Sequence, residues 1–158
     1  KRRAGIAQAM LNNPKILILD EPTAGLDPNE RIRFRNLISE LSEDRLVLLS
    51  THIVSDIEYI ANEILLMKDG KLMHKGTADE IINSMTETVW ECFVEKNMVS
   101  DFMKKYKISN MKSEADGVIL RIISHEKPFV NAQSVEASLE DVFLYYFGEK
   151  AGDENAAI

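Results

Sequence analysis

The stretch Lys15–Pro28, KILILDEPTAGLDP, joins an unbroken aliphatic run to two adjacent carboxylates. The run from Ile16 to Leu19 is typical of a strand that is covered on both faces in a parallel sheet. It ends on Asp20 and Glu21. Ligands of open α/β sheets bind beyond the carboxyl ends of the strands. The stretch therefore predicts a buried strand with two acidic side chains at a ligand-binding edge.

A second aliphatic run, Leu46–Leu49, predicts another buried strand, and the segment STH follows it. Between the two runs, Pro28–Leu41 has the apolar period of an amphipathic helix, with an aspartate as N-cap and a proline at its first position. Strands that alternate with helices indicate a parallel α/β sheet. We therefore expect three ionisable side chains to meet at one edge: Asp20, Glu21 and His52.

Each of these side chains has a chemistry that suits a phosphate-handling site. Asp20 can hold Mg²⁺, because that hard cation prefers carboxylate oxygens. Glu21 can polarise a water for attack on a phosphate, and His52 can donate a hydrogen bond to a phosphoryl oxygen. The plainer interpretation is a solvated Asp-Glu turn with a structural histidine. The aliphatic run that ends on the carboxylates favours the functional interpretation.

The segments around these two strands also have recognisable patterns. We predict a helix over residues 1–12 and a hairpin of Ile64–Met67 with Lys71–His74, turned by an Asp-Gly pair. Two capping-box patterns predict helix starts, at Ser55–Glu58 and at Thr77–Glu80, the second helix running through Ile82.

A seam at Asn83–Thr86 separates a predicted small α+β domain from the segments before it. Strands are expected at Val89–Val94 and Val118–Ile123, with two amphipathic helices packed on one face of that sheet. Leu144 and Phe147 lie off the apolar stripe of the last helix, so they are expected to be partly exposed. The domain is either a structural extension or a partner surface. The predicted boundaries are 1–85, 86–147 and a disordered tail, 148–158.

Composition narrows the function classes. The chain has 158 residues, 45% hydrophobic, and a net charge of -7 from 19 basic and 26 acidic residues. An acidic chain without a basic run argues against a nucleic-acid partner. A single cysteine, Cys92, fits a reducing compartment, and it has no metal-ligand spacing with His74 or His125. No apolar run approaches the length of a membrane span.

Four segments together resemble the ATP-binding subunits of ABC transporters: ILILDEP their Walker B strand, AGLDP their D-loop, STH their switch histidine, and ANEILLMKDGKLMHKGTADEI their closing hairpin and helix. The resemblance covers residues 1 to about 82. It implies the α/β fold of a P-loop NTPase and ATP with Mg²⁺ as cofactors. It implies that Asp20 binds the metal, Glu21 is the general base and His52 senses the γ-phosphate. It also implies that Asp27 makes a contact across a head-to-tail ATP sandwich dimer.

The departures from the family are equally informative. A phosphate loop, G-x-x-x-x-G-K-[ST], is absent, since the one Gly-Lys pair, Gly70-Lys71, is followed by Leu72. The Q-loop is absent too, and KRRAGIAQAML resembles the helix that follows the signature loop. We therefore expect the C-terminal part of the ATPase sheet, inactive by itself, followed by the small α+β domain.

The segment VEASLEDVFLYYFGEK resembles the C-terminal helix of subunits from the branch that exports drugs, antibiotics or sodium. That resemblance implies a separate membrane permease and a second ATP-binding subunit as partners. It also implies a peripheral location at the cytoplasmic face of the cell membrane. Two alternatives stay open: a soluble ABC-type ATPase of DNA repair or chromosome maintenance, and a non-enzymatic regulatory module in which Glu21 is idle.

Overall fold

The computed structural model describes residues 2–148, with side chains from residue 5 onward. The chain divides into two compact units between Asn62 and Glu63. That division falls earlier than the predicted seam, and the predicted domain boundaries stay predictions. The predicted disordered tail lies, from residue 149 on, outside the described residues. Within residues 2–148, no helix is long and apolar enough to cross a membrane.

Over residues 2–62, the first unit has three helices and two strands. In chain order they are α1 (Arg2–Met10), β1 (Ile16–Asp20), α2 (Pro28–Leu41), β2 (Leu46–Ser50) and α3 (Val54–Ile57). The strands β1 and β2 pair in parallel, as predicted, with Ile16 beside Leu46 and Asp20 beside Ser50. The predicted helix Pro28–Leu41 is confirmed at both ends, and its N-cap is Asp27.

One face of the β1–β2 sheet forms the core of this unit. Leu17 and Leu19 are buried, and they pack against the apolar side chains of α2, which are Phe34, Ile38 and Leu41. The other face is open, since Ile16 is 58% and Ile18 is 69% exposed. Within the described residues the strand is therefore covered on one face only. An unbroken aliphatic run shows that a strand can be buried on both faces, but only neighbouring elements decide whether it is.

The predicted capping box at Ser55–Glu58 is also wrong. Helix α3 begins at Val54, and its N-cap residue, Ile53, makes no side-chain cap bond. The Ile53 N–H instead donates to the Thr51 hydroxyl at 3.0 Å. That bond turns the chain into the helix two residues earlier, so Ser55 lies inside it.

The second unit begins with a hairpin and a short helix. Its elements are β3 (Ile64–Lys68), β4 (Lys71–Gly76), α4 (Ala78–Asn83), β5 (Thr88–Val94), α5 (Val99–Lys105), β6 (Lys107–Ser113), β7 (Val118–Ser124), β8 (Gln133–Val135) and α6 (Leu139–Phe147). Asp69 and Gly70 both have positive φ, 51° and 74°, as a tight primed turn requires. The predicted hairpin is confirmed. So is the capping box that joins Thr77 and Glu80.

A four-stranded antiparallel sheet follows, in the order β6-β7-β5-β8. The predicted strands are its two central members, β5 and β7, which pair along their whole length. The strands β6 and β8 were not predicted from the sequence. Both are edge strands, and β6 reads KISNMKS, with lysine near each end. Polar edges of this kind protect a sheet from pairing with other chains, and they also remove the apolar alternation that marks a strand.

The two helices of this sheet lie on opposite faces, so the predicted packing on one face is wrong. Phe102 of α5 packs in a cluster with Leu120 and Ile122 of β7. Arg121, between those two residues, bonds Asp141 of α6. Successive side chains of a strand point to opposite faces, so α6 must lie across the sheet from α5. The sequence showed two apolar stripes but not the strand face that each would meet.

A buried ion pair holds the start of α6 on the sheet. The Arg121 guanidinium donates to Asp141 Oδ2 at 2.8 Å, and the Asp141 side chain is only 2% exposed. Asp141 also completes a capping box, because its carboxylate accepts from the Ser138 N–H at 2.8 Å. The Ser109 hydroxyl of β6 donates to Asp141 Oδ1 at 2.6 Å. Asp141 thus joins β6, β7 and α6.

The last turn of α6 makes its own contacts. Phe147 stacks on Phe143 with ring centroids 4.6 Å apart, and the Lys68 Nζ lies 5.8 Å from the Phe147 ring. Lys107 Nζ donates to the Tyr145 carbonyl at 2.8 Å. Leu144 and Phe147 are both half-buried, which confirms that they are partly exposed.

The first prediction concerns the Arg121–Asp141 pair. Burial raises the pKa of Asp141, but hydrogen bonds from Arg121, Ser109 and Ser138 outweigh it and lower the pKa from 3.8 to about 2. A depressed carboxyl pKa stabilises the fold above pH 3.8, and this stabilisation, about 2 kcal/mol, is lost as the pH falls toward 2. Asp141→Asn should cost about 2–3 kcal/mol at pH 7 and flatten the stability profile over that acid range.

Denaturant unfolding followed by Trp90 fluorescence measures this, because Trp90 is the one tryptophan of the chain and lies in β5. Asp116→Asn, at an exposed aspartate between β6 and β7, is the matched control. If the free energy of unfolding of Asp141→Asn changed with pH in parallel with that of the unmutated chain, the ion pair would not cause the acid dependence.

Candidate active site

Parallel pairing brings two loops to the same sheet edge. Asp20 and Ser50 are partners at the last position of β1 and β2. The pairing continues one step further, because the Glu21 N–H donates to the Ser50 carbonyl at 2.9 Å. Residues 21 and 51–52 therefore leave the sheet side by side. Three of the four predicted site residues, Asp20, Glu21 and His52, come together here.

Glu21 sits at a sharp change of chain direction. Its φ is +44°, in the left-handed region that costs a residue with a side chain roughly 1–2 kcal/mol. The turn continues through two backbone bonds, from Ala24 N to Glu21 O and from Leu26 N to Thr23 O. The strained turn follows the last strand residue, Asp20, and directs the Glu21 side chain toward the neighbouring loop.

The Glu21 carboxylate is held by the segment that follows β2. Its Oε1 accepts from the His52 N–H at 3.1 Å and lies 2.8 Å from His52 Nδ1. Its Oε2 accepts from the Thr51 hydroxyl at 3.3 Å. The Glu21 side chain is 33% exposed and that of His52 is 70% exposed. One carboxylate therefore has contacts at both oxygens while solvent still reaches it.

The short contact between His52 Nδ1 and Glu21 Oε1 constrains the tautomer of His52. A carboxylate only accepts hydrogen bonds, so the short contact places a proton on Nδ1. The other ring nitrogen, Nε2, then accepts in the neutral imidazole and donates in the imidazolium. For His52 to donate to a phosphoryl oxygen through Nε2 while paired with Glu21, it must carry the positive charge.

Asp20 lies next to this pair and is exposed. Its Oδ1 accepts a hydrogen bond from the Ser50 hydroxyl. Across residues 5–148, whose side chains are described, no group of three His, Cys, Asp or Glu side chains could hold a metal. Mg²⁺ commonly takes one or two carboxylates and completes its shell with water and phosphate oxygens. Asp20 as one carboxylate ligand fits that kind of Mg²⁺ site and does not make an all-protein cage.

Asp27, the fourth predicted site residue, has a structural role in this unit. Its Oδ1 accepts from the Glu30 N–H at 2.9 Å and so caps α2. The side chain is exposed. Its contact with a second subunit stays a prediction.

Two hydroxyls of the site, those of Ser50 and Thr51, were not predicted from the sequence. Both were inside the quoted STH region, but only the histidine was given a task. The available signal was their position, since polar side chains at the end of a parallel strand face those at the end of its neighbour. Cys92 stays outside the site: it is buried in the second unit, and burial raises the pKa of its thiol.

Comparison with known proteins gives relatives along most of the chain. The bacitracin transport ATP-binding protein BcrA of Bacillus licheniformis is 33% identical over 165 residues, covering 94% of this chain and 54% of that protein. The ABC transporter ATP-binding protein YhcH of Bacillus subtilis is 30% identical, covering 94% and 52%. The energy-coupling factor transporter ATP-binding protein EcfA2 of Clostridioides difficile is 42% identical over 86 residues, covering 53% and 30%. No protein-family model matches. The chain therefore spans about half the length of BcrA and of YhcH, and less than a third of the length of EcfA2.

The second prediction concerns Thr23, in the turn after Glu21. Thr23 is 1% exposed, and its Oγ1 has no hydrogen-bond partner among the described residues. A buried hydroxyl without a partner costs roughly 1–3 kcal/mol, and valine has the same shape without that cost. Thr23→Val should stabilise the first unit by about 1 kcal/mol. Native-state hydrogen exchange of the Leu17 and Leu19 amides measures it. Faster exchange in the variant would show that the hydroxyl has a partner.

Proposed function

We propose that this chain, a relative of the ATP-binding subunits of ABC transporters, supplies the hydrolytic strand ends of such a subunit. In the complete subunit, ATP binding and hydrolysis would drive transport across a membrane. One observation carries the proposal: the Glu21 carboxylate is held by Thr51 and His52 at the end of two parallel strands. That arrangement gives a solvent-accessible base beside a histidine that can donate to an anion.

Glu21, His52 and Asp20 have different roles in phosphoryl transfer to water. Glu21 accepts the proton of the attacking water, and His52 donates from Nε2 to a phosphoryl oxygen as negative charge develops there. Asp20 would hold Mg²⁺, which when bound neutralises charge on the phosphates. The bond from Ser50 orients the Asp20 carboxylate for that task.

The finer assignment is to the exporting branch. It rests on the resemblance of residues 135–150 to the C-terminal helix of drug-, antibiotic- and sodium-exporting subunits, and the similarity to a bacitracin transport protein supports it. The partners are then a separate integral-membrane permease and a second ATP-binding subunit, met through Asp27. The site of action is the cytoplasmic face of the membrane. No nucleic acid is involved, in keeping with the net charge of -7.

A DNA-repair or chromosome ATPase fits less well. The Asp69-Gly70 hairpin and the capped helix at Thr77 are typical of transporter subunits, and both are formed. A purely regulatory module would need no carboxylate held at both oxygens. These features favour the transporter subunit over the two alternatives.

The third prediction concerns the 158-residue chain by itself. The phosphate loop supplies backbone N–H groups and a lysine to the phosphates, and the sequence has no such loop. Titration calorimetry with Mg-ATP should therefore show no micromolar binding, and a phosphate-release assay should show no turnover. Micromolar affinity or measurable hydrolysis would refute the proposal that this chain holds only part of the ATP site.

The fourth prediction concerns Glu21 in a complete subunit that contains this chain. Glu21→Gln should keep nucleotide affinity and lose turnover by about a hundredfold or more, because the amide cannot take the proton of the attacking water. Glu43→Gln, at an exposed glutamate just past α2, is the matched control and should hydrolyse ATP normally. Wild-type turnover by Glu21→Gln would rule out its role as the base.

A further inference from the structure

We propose that Thr51 is a positioning residue that orients the Glu21 carboxylate for proton transfer. The inference rests on the proposed role of Glu21 as the base. The Thr51 hydroxyl donates to Glu21 Oε2 at 3.3 Å, while both bonds from His52 go to Oε1. The two oxygens of the base therefore have different partners on one short segment.

The second oxygen matters because of how a glutamate side chain rotates. The last torsion of glutamate is broad and roughly two-fold, unlike the staggered torsions before it. Bonds to Oε1 alone place that oxygen but leave the carboxylate plane free to turn about it. The bond from Thr51 to Oε2 restricts the rotation of the plane, and with it the direction of the lone pairs that receive a proton.

The Thr51 hydroxyl is itself oriented. It accepts from the Ile53 N–H at 3.0 Å, and a hydroxyl has one proton and two lone pairs. With a lone pair occupied by Ile53, the hydroxyl proton remains for Oε2. The same N–H bond sets the start of α3, so the orientation of the carboxylate is tied to the backbone between β2 and α3.

The plainer interpretation is that Thr51 only shapes the turn from residue 51 to 53. Short hydroxyl-to-backbone bonds of this kind are common in loops. The two interpretations differ in what Thr51→Val disturbs. If Thr51 only forms the turn, its loss changes the environment of the Ile53 amide. If Thr51 positions the base, its loss also changes the orientation of the Glu21 carboxylate.

Nuclear magnetic resonance on the 158-residue chain separates them. Thr51→Val should move the resonance of the Glu21 carboxyl carbon and that of the His52 amide proton, and Thr51→Ser, which keeps the hydroxyl, should restore both. Thr23→Val is the matched control, since it removes a threonine hydroxyl that has no partner among the described residues. A shift of the Ile53 amide resonance alone, with those of Glu21 and His52 unchanged, would overturn the proposal. If Thr51→Val lost the dispersed spectrum of a folded chain, Thr51→Ala would be measured by the same criterion.

The kinetic arm uses the complete subunit. Thr51→Val should lower kcat at least about tenfold with KM for ATP unchanged, because a hydrogen bond to a charged group is lost where it matters for the transition state. Thr51→Ser should keep most of the rate. If Glu21→Gln is inactive while Thr51→Val keeps the full kcat, the positioning role fails and the proposed function stands. If Glu21→Gln itself keeps the full rate, the proposed function fails.

Discussion

The parallel register of β1 and β2 is the constraint on which the candidate site depends. It pairs Asp20 with Ser50, and the Glu21 N–H extends the pairing to the Ser50 carbonyl. A slip of one residue would move each side chain of the strand to the opposite face. It would expose Leu17 and Leu19, which form the core with α2, and it would separate Glu21 from His52. The packing that stabilises this unit therefore also sets the geometry of its proposed chemistry.

The proposed base is also part of the loop's architecture. A left-handed residue with a side chain is unfavourable by roughly 1–2 kcal/mol, and glycine would avoid that strain. Glu21 tolerates it because its carboxylate accepts bonds from Thr51 and His52, and bonds to a charged group are among the stronger ones in proteins. The turn and the carboxylate support each other. A variant that removes the carboxylate changes the loop as well as the chemistry, which is why an isosteric amide is a cleaner probe than alanine.

Local patterns in the sequence predicted what local forces determine. The helix Pro28–Leu41, the Asp-Gly hairpin and the central strands β5 and β7 were all predicted because each element carries its own periodicity or turn residues. The errors were of another kind. Three features were not predicted: the open face of β1, the opposite faces of α5 and α6, and the role of Thr51. Each depends on an element that is far away in the sequence but close in the fold. The polar edge strand β6 carries almost no periodic signal. Of the site, the ionisable groups were predicted from their place at strand ends, whereas the hydroxyls of Ser50 and Thr51 share that place but were given no role.

The run SLEDVF, which supports the exporter assignment, has a structural explanation inside this chain. Ser138 and Asp141 form the capping box of α6, and Asp141 also pairs with Arg121 of β7. Leu139 and Val142 are buried at 4% and 0% exposure. Asp141 therefore links α6 to its sheet, Ser138 caps the helix, and Leu139 and Val142 are buried side chains of the domain. Phe147, expected to be partly exposed, stacks on Phe143 within the same helix. A shared SLEDVF run then reflects a shared way of building this domain, and that favours a structural extension over a partner surface on α6.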